Sequence, residues 1–232
     1  MSIKEMKKLV FEANLDLPKN NLVKLTWGNV SLIDRDLGVI VIKPSGVPYK
    51  TMKESDMVVT DLDGNPLPDQ LKPSSDLPTH VLLYKHFKTV NSIVHTHSKF
   101  AVAFAQSGLS IDPYGTTHAD TFYGSIPCAR SLTKEEVNSN YEVETGNVII
   151  EKFNELNISP DQVPAINTKN HGPFIFGKTT ANAIENTIIL EEVAEMAFLT
   201  KNLQSSTKSI NQYLLDKHYL RKHGEKAYYG QQ

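Results

Sequence analysis

The feature that most constrains the fold is the alternation of short β-branched segments with longer segments of helical periodicity. The segments "GVIVIKPSG" (38–46) and "DMVVTDLDGN" (56–65) are rich in Val and Ile and end in Gly, Pro or Asp-Gly, which is typical of strands followed by turns. The opening segment instead repeats apolar residues at three- and four-residue spacing up to Pro18, which predicts an amphipathic helix. Because both kinds of segment recur along the chain, the sequence predicts an α/β protein.

Further helices and strands follow from the same signals. A helix is predicted after Ser75 or Asp76 as N-cap, with Pro78 in its first turn. Other predicted helices are "KFAVAFAQSG", which Gly108 ends, the segment around "ETGNVIIEKFNEL", and a long one from Thr179 to about Leu203. The predicted strands include "SIVHTH" and the runs around "VPAINTKN" and "GPFIFG".

Composition narrows the class of protein. No linker or charge block divides the 232 residues, so we expect a single domain over 1–232. The net charge of −2, with acids and bases interspersed, provides no basic surface for nucleic acid or for a membrane, and a small-molecule partner is expected. The chain shows no signal-peptide core and no apolar run of membrane-spanning length, and its one cysteine, Cys128, cannot form an intrachain disulfide. These features predict a cytoplasmic protein in which Cys128 is a small buried apolar residue.

Two histidines in the segment "SIVHTHSKF" are the first candidates for a functional site. On a strand, residues i and i+2 point to the same face, so His95 and His97 would project side by side and could bind one metal ion. The pair could equally be a polar patch between strands. His171, which precedes Gly-Pro at the junction of two apolar runs, could supply the third imidazole of a catalytic zinc site. For His86 we expect a solvated helix face, and for His80 a capping or packing role or a contact behind the metal ligands.

The sequence resembles the class II aldolase/adducin family, and within it the L-ribulose-5-phosphate 4-epimerases. The resemblance rests on segments distributed from end to end of the chain: "LTWGNVS", "VIKPSGV", "KPSSDLPTH", "IVHTHS", "GTTHADTFYGSIPC", "ETGNVI", "HGPF" and "LLDKHYLRKHGEKAYYGQ". It implies a class II aldolase/adducin-like fold, in which helices flank a central, mainly antiparallel sheet in three layers. It also implies a homotetramer with active sites between subunits.

The same resemblance implies roles for individual residues. Zn²⁺, or another divalent metal, would be held by His95, His97 and His171, with Asp76 near or on it. The implied acid–base groups are Asp120 and Tyr229. The implied phosphate and substrate contacts are Gly28, Asn29, Lys43, Ser45, Gly46, Ser74, Ser75, His218 and Arg221. Taken singly, several of these residues could serve only in turns or helix caps.

The implied substrate is a ketopentose phosphate whose configuration at C4 is inverted. The C4 hydrogen is not acidic, so cleavage of the C3–C4 bond, rotation of the aldehyde fragment and re-addition is the expected route between L-ribulose 5-phosphate and D-xylulose 5-phosphate. Tyr229 would need a cationic neighbour to act as a base, and His218 and Arg221 are the candidates. We expect the polar tail, about 207–232, to reach a neighbouring subunit, so that each site combines Asp120 of one subunit with Tyr229 of the next. The alternatives are a class II phosphate-sugar aldolase and a catalytically silent interaction module.

Overall fold

The computed structural model describes residues 1–225 and 227–229, which form a seven-stranded sheet with helices on both faces. The strands are β1 (Asn29–Asp34), β2 (Val39–Ile42), β3 (Val58–Asp61), β4 (Ser92–His95), β5 (Cys128–Ala129), β6 (Ala165–Thr168) and β7 (Gly172–Gly177). The helices are α1 (Ile3–Lys19), α2 (Leu77–His86), α3 (Lys99–Ser107), α4 (Thr116–Ala119), α5 (Lys134–Val137), α6 (Tyr141–Leu156), α7 (Thr180–Leu203) and α8 (Gln212–His223).

The sheet has the order β3-β2-β1-β4-β7-β6-β5. All of these pairs are antiparallel except β5–β6, which is parallel. Alternate residues of the strands enter two separate cores, one against α1, α3 and α7 and the other against α2 and α6. Val94, for example, faces the first core and Ile93 the second. The predicted three-layer, mainly antiparallel α/β fold is therefore confirmed.

Local sequence explains where several helices begin and end. α1 starts with a capping box between Ser2 and Glu5, and α3 ends where Gly108 adopts a left-handed conformation (φ 71°). Both were predicted to within a few residues. The elements not predicted are β1, β5, α4, α5 and α8. None of the helices in the described part of the chain is both long and apolar enough to cross a lipid bilayer.

Both edges of the sheet are blunted. At one edge, the side-chain amide of Gln70 accepts a hydrogen bond from the Val59 amide (2.7 Å) and donates one to the Val59 carbonyl (3.0 Å), as a neighbouring strand would. At the other edge, β5 has only two residues. Short or covered edges limit pairing with a second sheet.

Candidate active site

Three histidines converge at one end of the two central strands. His95 is the last residue of β4, His97 follows two residues later, and His171 lies in the turn between β6 and β7. β4 pairs with β7, which brings the β6–β7 turn beside the end of β4. The three side chains offer ring nitrogens that all lie within 4.8 Å of one another. The sequence predicted this grouping, although β4 ends at His95, so His97 approaches His95 from the loop that follows and not from the strand.

The ring nitrogens of the three histidines are oriented toward a common point. His95 Nδ1 lies 2.9 Å from the Pro173 carbonyl, so Nδ1 carries the proton and Nε2 is left as a lone-pair donor. This Nε2 is 3.1 Å from His97 Nε2. Nitrogens on a tetrahedral Zn²⁺, with bonds of about 2.0–2.1 Å, lie roughly 3.4 Å apart, so the spacing fits a shared ion.

His171 has the chemistry of a ligand. Burial, together with the neighbouring rings of His95 and His97, lowers the pKa of His171 to about 3, so the ring is neutral at physiological pH. Its Nδ1 is buried and has no hydrogen-bond partner among the described residues. Neutral imidazoles with unsatisfied nitrogens are what a divalent metal requires, and the site therefore fits one.

Asp76 faces the same site instead of capping its helix. It occupies the N-cap position of α2, yet its carboxylate makes no capping hydrogen bond. Asn29 Nδ2 donates to Asp76 Oδ2 at 2.6 Å and to Ser74 Oγ at 3.0 Å. Burial acts to raise the pKa of Asp76, but the nearby His95 and His80 and the Asn29 hydrogen bond hold it below its ordinary value. The carboxylate is thus ionised beside the histidines.

Two loops form the other wall of the site, a pocket of about 410 Å³. The loop after β2 and the segment before α2 are joined by backbone hydrogen bonds from Ser45 N–H to Lys72 and from Ser74 N–H to Lys43. The pocket-lining residues include all of the predicted phosphate-contact residues outside the tail: Gly28, Asn29, Lys43, Ser45, Gly46, Ser74 and Ser75. Gly28 and Gly46 have positive φ values of 77° and 68°, a conformation that favours glycine.

Lys43 places a buried positive charge in this pocket. Its side chain is only 2% exposed, and burial lowers its pKa to about 8. Its ammonium makes long contacts to the carbonyls of Pro44 (3.3 Å) and Thr26 (3.4 Å) and lies over the Tyr49 ring. A buried cation with only neutral partners favours an anionic ligand.

Five lining residues were missed in the sequence: Thr26, Trp27, Pro44, Tyr141 and Glu142. Trp27 is half exposed, with its ring 6.0 Å from that of His97. Tyr141 and Glu142 open α6 beside the pocket, and the Tyr141 ring is 6.2 Å from that of His171. Trp27 lies next to the predicted Gly28-Asn29 turn, a signal that could have indicated it. Nothing in the local pattern around Tyr141 points to a site.

The predicted acid–base residues form a second cluster with α8 of the same chain. The Arg221 guanidinium binds both oxygens of Asp120 at 2.9 Å, and His218 Nδ1 lies 3.0 Å from Asp120 Oδ1. The Lys222 ammonium is 3.8 Å from Asp120 Oδ2. Burial acts to raise the pKa of Asp120, but these hydrogen bonds and charges hold it below its ordinary value. Arg221 also lies over the ring of Tyr229, at 4.4 Å from the centroid, so Tyr229 has the cationic neighbour expected for it.

This Asp120 cluster lies at the opposite end of the central strands from the three histidines. A different cavity is lined by Thr121, Gly177 and His223. The His223 side chain binds the Asp120 carbonyl, which places the cluster beside that cavity. Gly177 pairs with Ser92 at the start of β4, whereas His95 ends that strand. Among the described residues, neither Asp120 nor Tyr229 lines the histidine pocket. One chain therefore does not bring the two groups of predicted residues together.

Comparisons with known proteins agree with this architecture. Residues 8–198 match the family model of the Class II Aldolase and Adducin N-terminal domain, and the chain belongs to that family. A curated relative from Salmonella paratyphi B is named L-ribulose-5-phosphate 4-epimerase UlaF. It is 49% identical over 229 residues, covering 99% of this chain and all of the relative. A relative of the same name from Salmonella typhi has the same identity and coverage.

Solved structures show the same fold. An L-fuculose 1-phosphate aldolase superimposes with a TM-score of 0.78 at 23% identity, covering 94% of this chain and 96% of the aldolase. An L-fuculose-1-phosphate aldolase from Thermus thermophilus gives a TM-score of 0.67 at 18% identity, with 88% and 98% coverage.

Proposed function

We propose that the protein is a metal-dependent L-ribulose-5-phosphate 4-epimerase. The observation that carries the proposal is the junction of two half-sites in one pocket: the three histidines with Asp76, and the buried Lys43 with its neighbouring serines. The first half suits the oxygens of a ketose, and the second suits a phosphate. The full-length similarity to proteins named L-ribulose-5-phosphate 4-epimerase supports this assignment.

The chemistry follows from these positions. Zn²⁺ or another divalent ion bound by His95, His97 and His171 would supply Lewis acidity that stabilises negative charge on the substrate oxygens when the C3–C4 bond breaks. Asn29, Ser45, Ser74 and Ser75, with Lys43, would anchor the phosphate of the aldehyde fragment. With the phosphate held, the aldehyde can rotate and rejoin the other fragment with C4 inverted. If the aldehyde fragment were released into solution before it rejoined, the protein would be an aldolase.

The acid–base half of the site is proposed to come from a neighbouring subunit. Asp120 and Tyr229 lie together in one chain and away from its own histidines, which supports a ring in which each chain presents its Asp120 cluster to the next chain's pocket. We therefore retain the homotetramer with a tail-mediated contact, but we revise which residues each subunit contributes to a site. One subunit would supply the whole cluster to its neighbour's pocket: Asp120, His218, Arg221 and Tyr229. This replaces the earlier expectation that Asp120 and Tyr229 come from different subunits.

In such a site Asp120, an ionised carboxylate, would accept a proton from one face of the substrate. Tyr229 would serve the other face, because the C4 oxygen points to opposite sides in the two epimers. A phosphate ester does not cross a lipid bilayer unaided, so the enzyme would work in the cytoplasm, where such sugars are made.

The decisive experiment is to incubate purified, metal-loaded protein with L-ribulose 5-phosphate and to assay D-xylulose 5-phosphate and free glycolaldehyde phosphate separately. An epimerase forms the first without the second. Release of glycolaldehyde phosphate as a main product would indicate the aldolase. Absence of both reactions with metal bound would favour the silent interaction module.

A further inference from the structure

A buried histidine, His80, lies behind the candidate active site with one ring nitrogen unpaired. It is on α2, one turn after Asp76, and its side chain is fully buried. Its Nδ1 is 2.7 Å from Ser31 Oγ, which is in turn 2.7 Å from the Tyr84 hydroxyl. Its Nε2 is buried without a hydrogen-bond partner among the described residues. A buried polar group without a partner is destabilising, so its retention calls for a reason.

The two hydroxyls determine which nitrogen carries the proton. If Tyr84 donates to Ser31 and Ser31 donates to His80 Nδ1, both hydroxyl hydrogens are used and the ring proton is on Nε2. In the reverse direction the hydrogen of the buried Tyr84 hydroxyl would have no acceptor among the hydrogen bonds of the described residues. The first arrangement leaves fewer buried groups unpaired, so Nε2–H is a donor without an acceptor.

The position of His80 indicates which acceptor it serves. Asn29 and Ser31 point from one face of β1 toward α2, where Asn29 binds Asp76 and Ser31 binds His80. Asp76 and His80 are four residues apart and so share a face of the chain entering α2. Burial lowers the pKa of His80 to about 3, with the Asp76 carboxylate opposing that shift, so the ring is neutral. A neutral N–H donor thus lies near an ionised carboxylate.

We propose that His80 is a positioning residue for Asp76. In the structure the carboxylate is bound to Asn29. When Asp76 turns toward an ion held by the three histidines, His80 Nε2–H donates to it, and Asn29 and His80 hold it from two sides. The inference rests on the proposed function in assigning Asp76 to the metal centre, but it concerns metal affinity and not turnover.

Two substitutions separate this role from simple packing. In His80→Asn the amide lies where Nδ1 was, so the Ser31 contact can survive while the Nε2–H donor is lost. In His80→Gln the amide reaches the position of Nε2, so the donor is restored and the Ser31 contact is lost. We expect His80→Asn to weaken Zn²⁺ binding by about 10- to 100-fold and His80→Gln to remain within a few-fold of wild type.

Zn²⁺ affinity would be measured on the full chain by competition with a chromophoric chelator, alone and in an Asp76→Ala background. If His80 acts through Asp76, His80→Asn adds no further loss in that background. Equal losses in the Asn and Gln variants, or a full effect of His80→Asn without Asp76, would overturn the proposal. If His80→Asn does not fold, Ser31→Ala replaces it, because loss of the Ser31 hydroxyl frees the His80 ring from its fixed tautomer. Ser31→Ala should weaken Zn²⁺ binding several-fold, and an unchanged affinity would also overturn the proposal. Because chelator competition needs no substrate, a negative epimerase assay would leave this result interpretable.

Discussion

Asn29 and His95 are directly opposite each other in the antiparallel β1–β4 pair. This register joins the two halves of the pocket, because Asn29 binds Asp76 and Ser74 while His95 belongs to the histidine group. Any shift of β1 against β4 would therefore move the proposed phosphate side of the site relative to the proposed metal side.

Gly28, immediately before β1, tests that relationship. A Cβ at this position would lie 2.6 Å from Val23 Cγ1 and 2.8 Å from the His95 carbonyl oxygen, and its φ is +77°. Gly38 has a similar φ of +69°, but a Cβ added there would have no atom within 4 Å beyond its neighbours in the chain. We expect Gly38→Ala to cost about 1–2 kcal/mol of unfolding free energy through backbone strain alone. Gly28→Ala should cost more and also lower kcat/KM. Urea unfolding and kinetics of the two variants, compared side by side, check this, and equal effects would refute it.

Removal of a proposed metal ligand gives a second prediction. His171→Ala should lose bound metal and epimerase activity while keeping its circular dichroism spectrum, because the side chain is only partly buried. His86→Ala, which changes an exposed histidine on α2, is the matched control and should retain both. Chelation of the wild type should abolish activity, and Zn²⁺ or another divalent ion should restore it. Wild-type metal content in His171→Ala would remove this residue from the ligand set.

Lys43 should determine substrate affinity. We expect Lys43→Met to raise KM by about 10- to 100-fold, the cost of a charge-assisted hydrogen bond, with a smaller change in kcat. Because its pKa is lowered to about 8, the wild-type KM should also rise above pH 8 as Lys43 loses its proton. Lys50→Met, at an exposed lysine nearby, is the control. Identical pH profiles of KM in the wild type and Lys43→Met would contradict the assignment.

Mixed oligomers test the shared site. Each tetramer site would take its histidines from one chain and its Asp120 cluster from another. Randomly mixed rings of His171→Ala and Tyr229→Phe chains should therefore have about a quarter of their sites intact. Mixed rings of Asp120→Asn and Tyr229→Phe should gain nothing, because both residues lie in the same cluster. Co-expression with two affinity tags, followed by tandem purification and assay, distinguishes the outcomes. Recovery in the second mixture would restore the original division between subunits.

His118 should make stability depend on pH. Burial lowers its pKa to about 4, with the Gly124 carbonyl and Asp112 opposing the shift. The unfolded chain binds a proton below about pH 6.5, whereas the folded protein does so only near pH 4. The stabilisation is therefore complete above pH 6.5 and declines by about 1.4 kcal/mol per pH unit as pH falls from 6 toward 4.5. His118→Gln, which can still donate to Gly124, should lower the slope measured by urea unfolding by that amount. The part due to His80 and His171, whose pKa values are also lowered, should remain, and His86→Gln should leave the slope unchanged. An unaltered slope in His118→Gln would count against the buried neutral ring.

The sequence was informative where chemistry is local and less so where it depends on tertiary contacts. Caps and turn glycines predicted most helices and strands, and the spacing of His95 and His97 predicted their proximity. α8 was missed because only Leu215 and Tyr219 of its residues are buried, so its stability comes from contacts with partners distant in sequence, such as Asp120. The position of Asp120 relative to the histidines depends on strand order, which no periodicity encodes.

The hydrogen bonds between Gln70 and Val59 limit how chains can associate. The Gln70 amide occupies the hydrogen-bonding groups of Val59 that a further strand at the β3 edge would use, and β5 at the other edge is too short to serve as a template. The sheet is thus a closed unit that a second chain cannot extend. In the proposed tetramer, contacts between subunits would then be made by side chains on helices, loops and the tail. In such an interface, affinity and specificity can change by substitution at the surface without disturbing the strand register that aligns the two halves of the pocket.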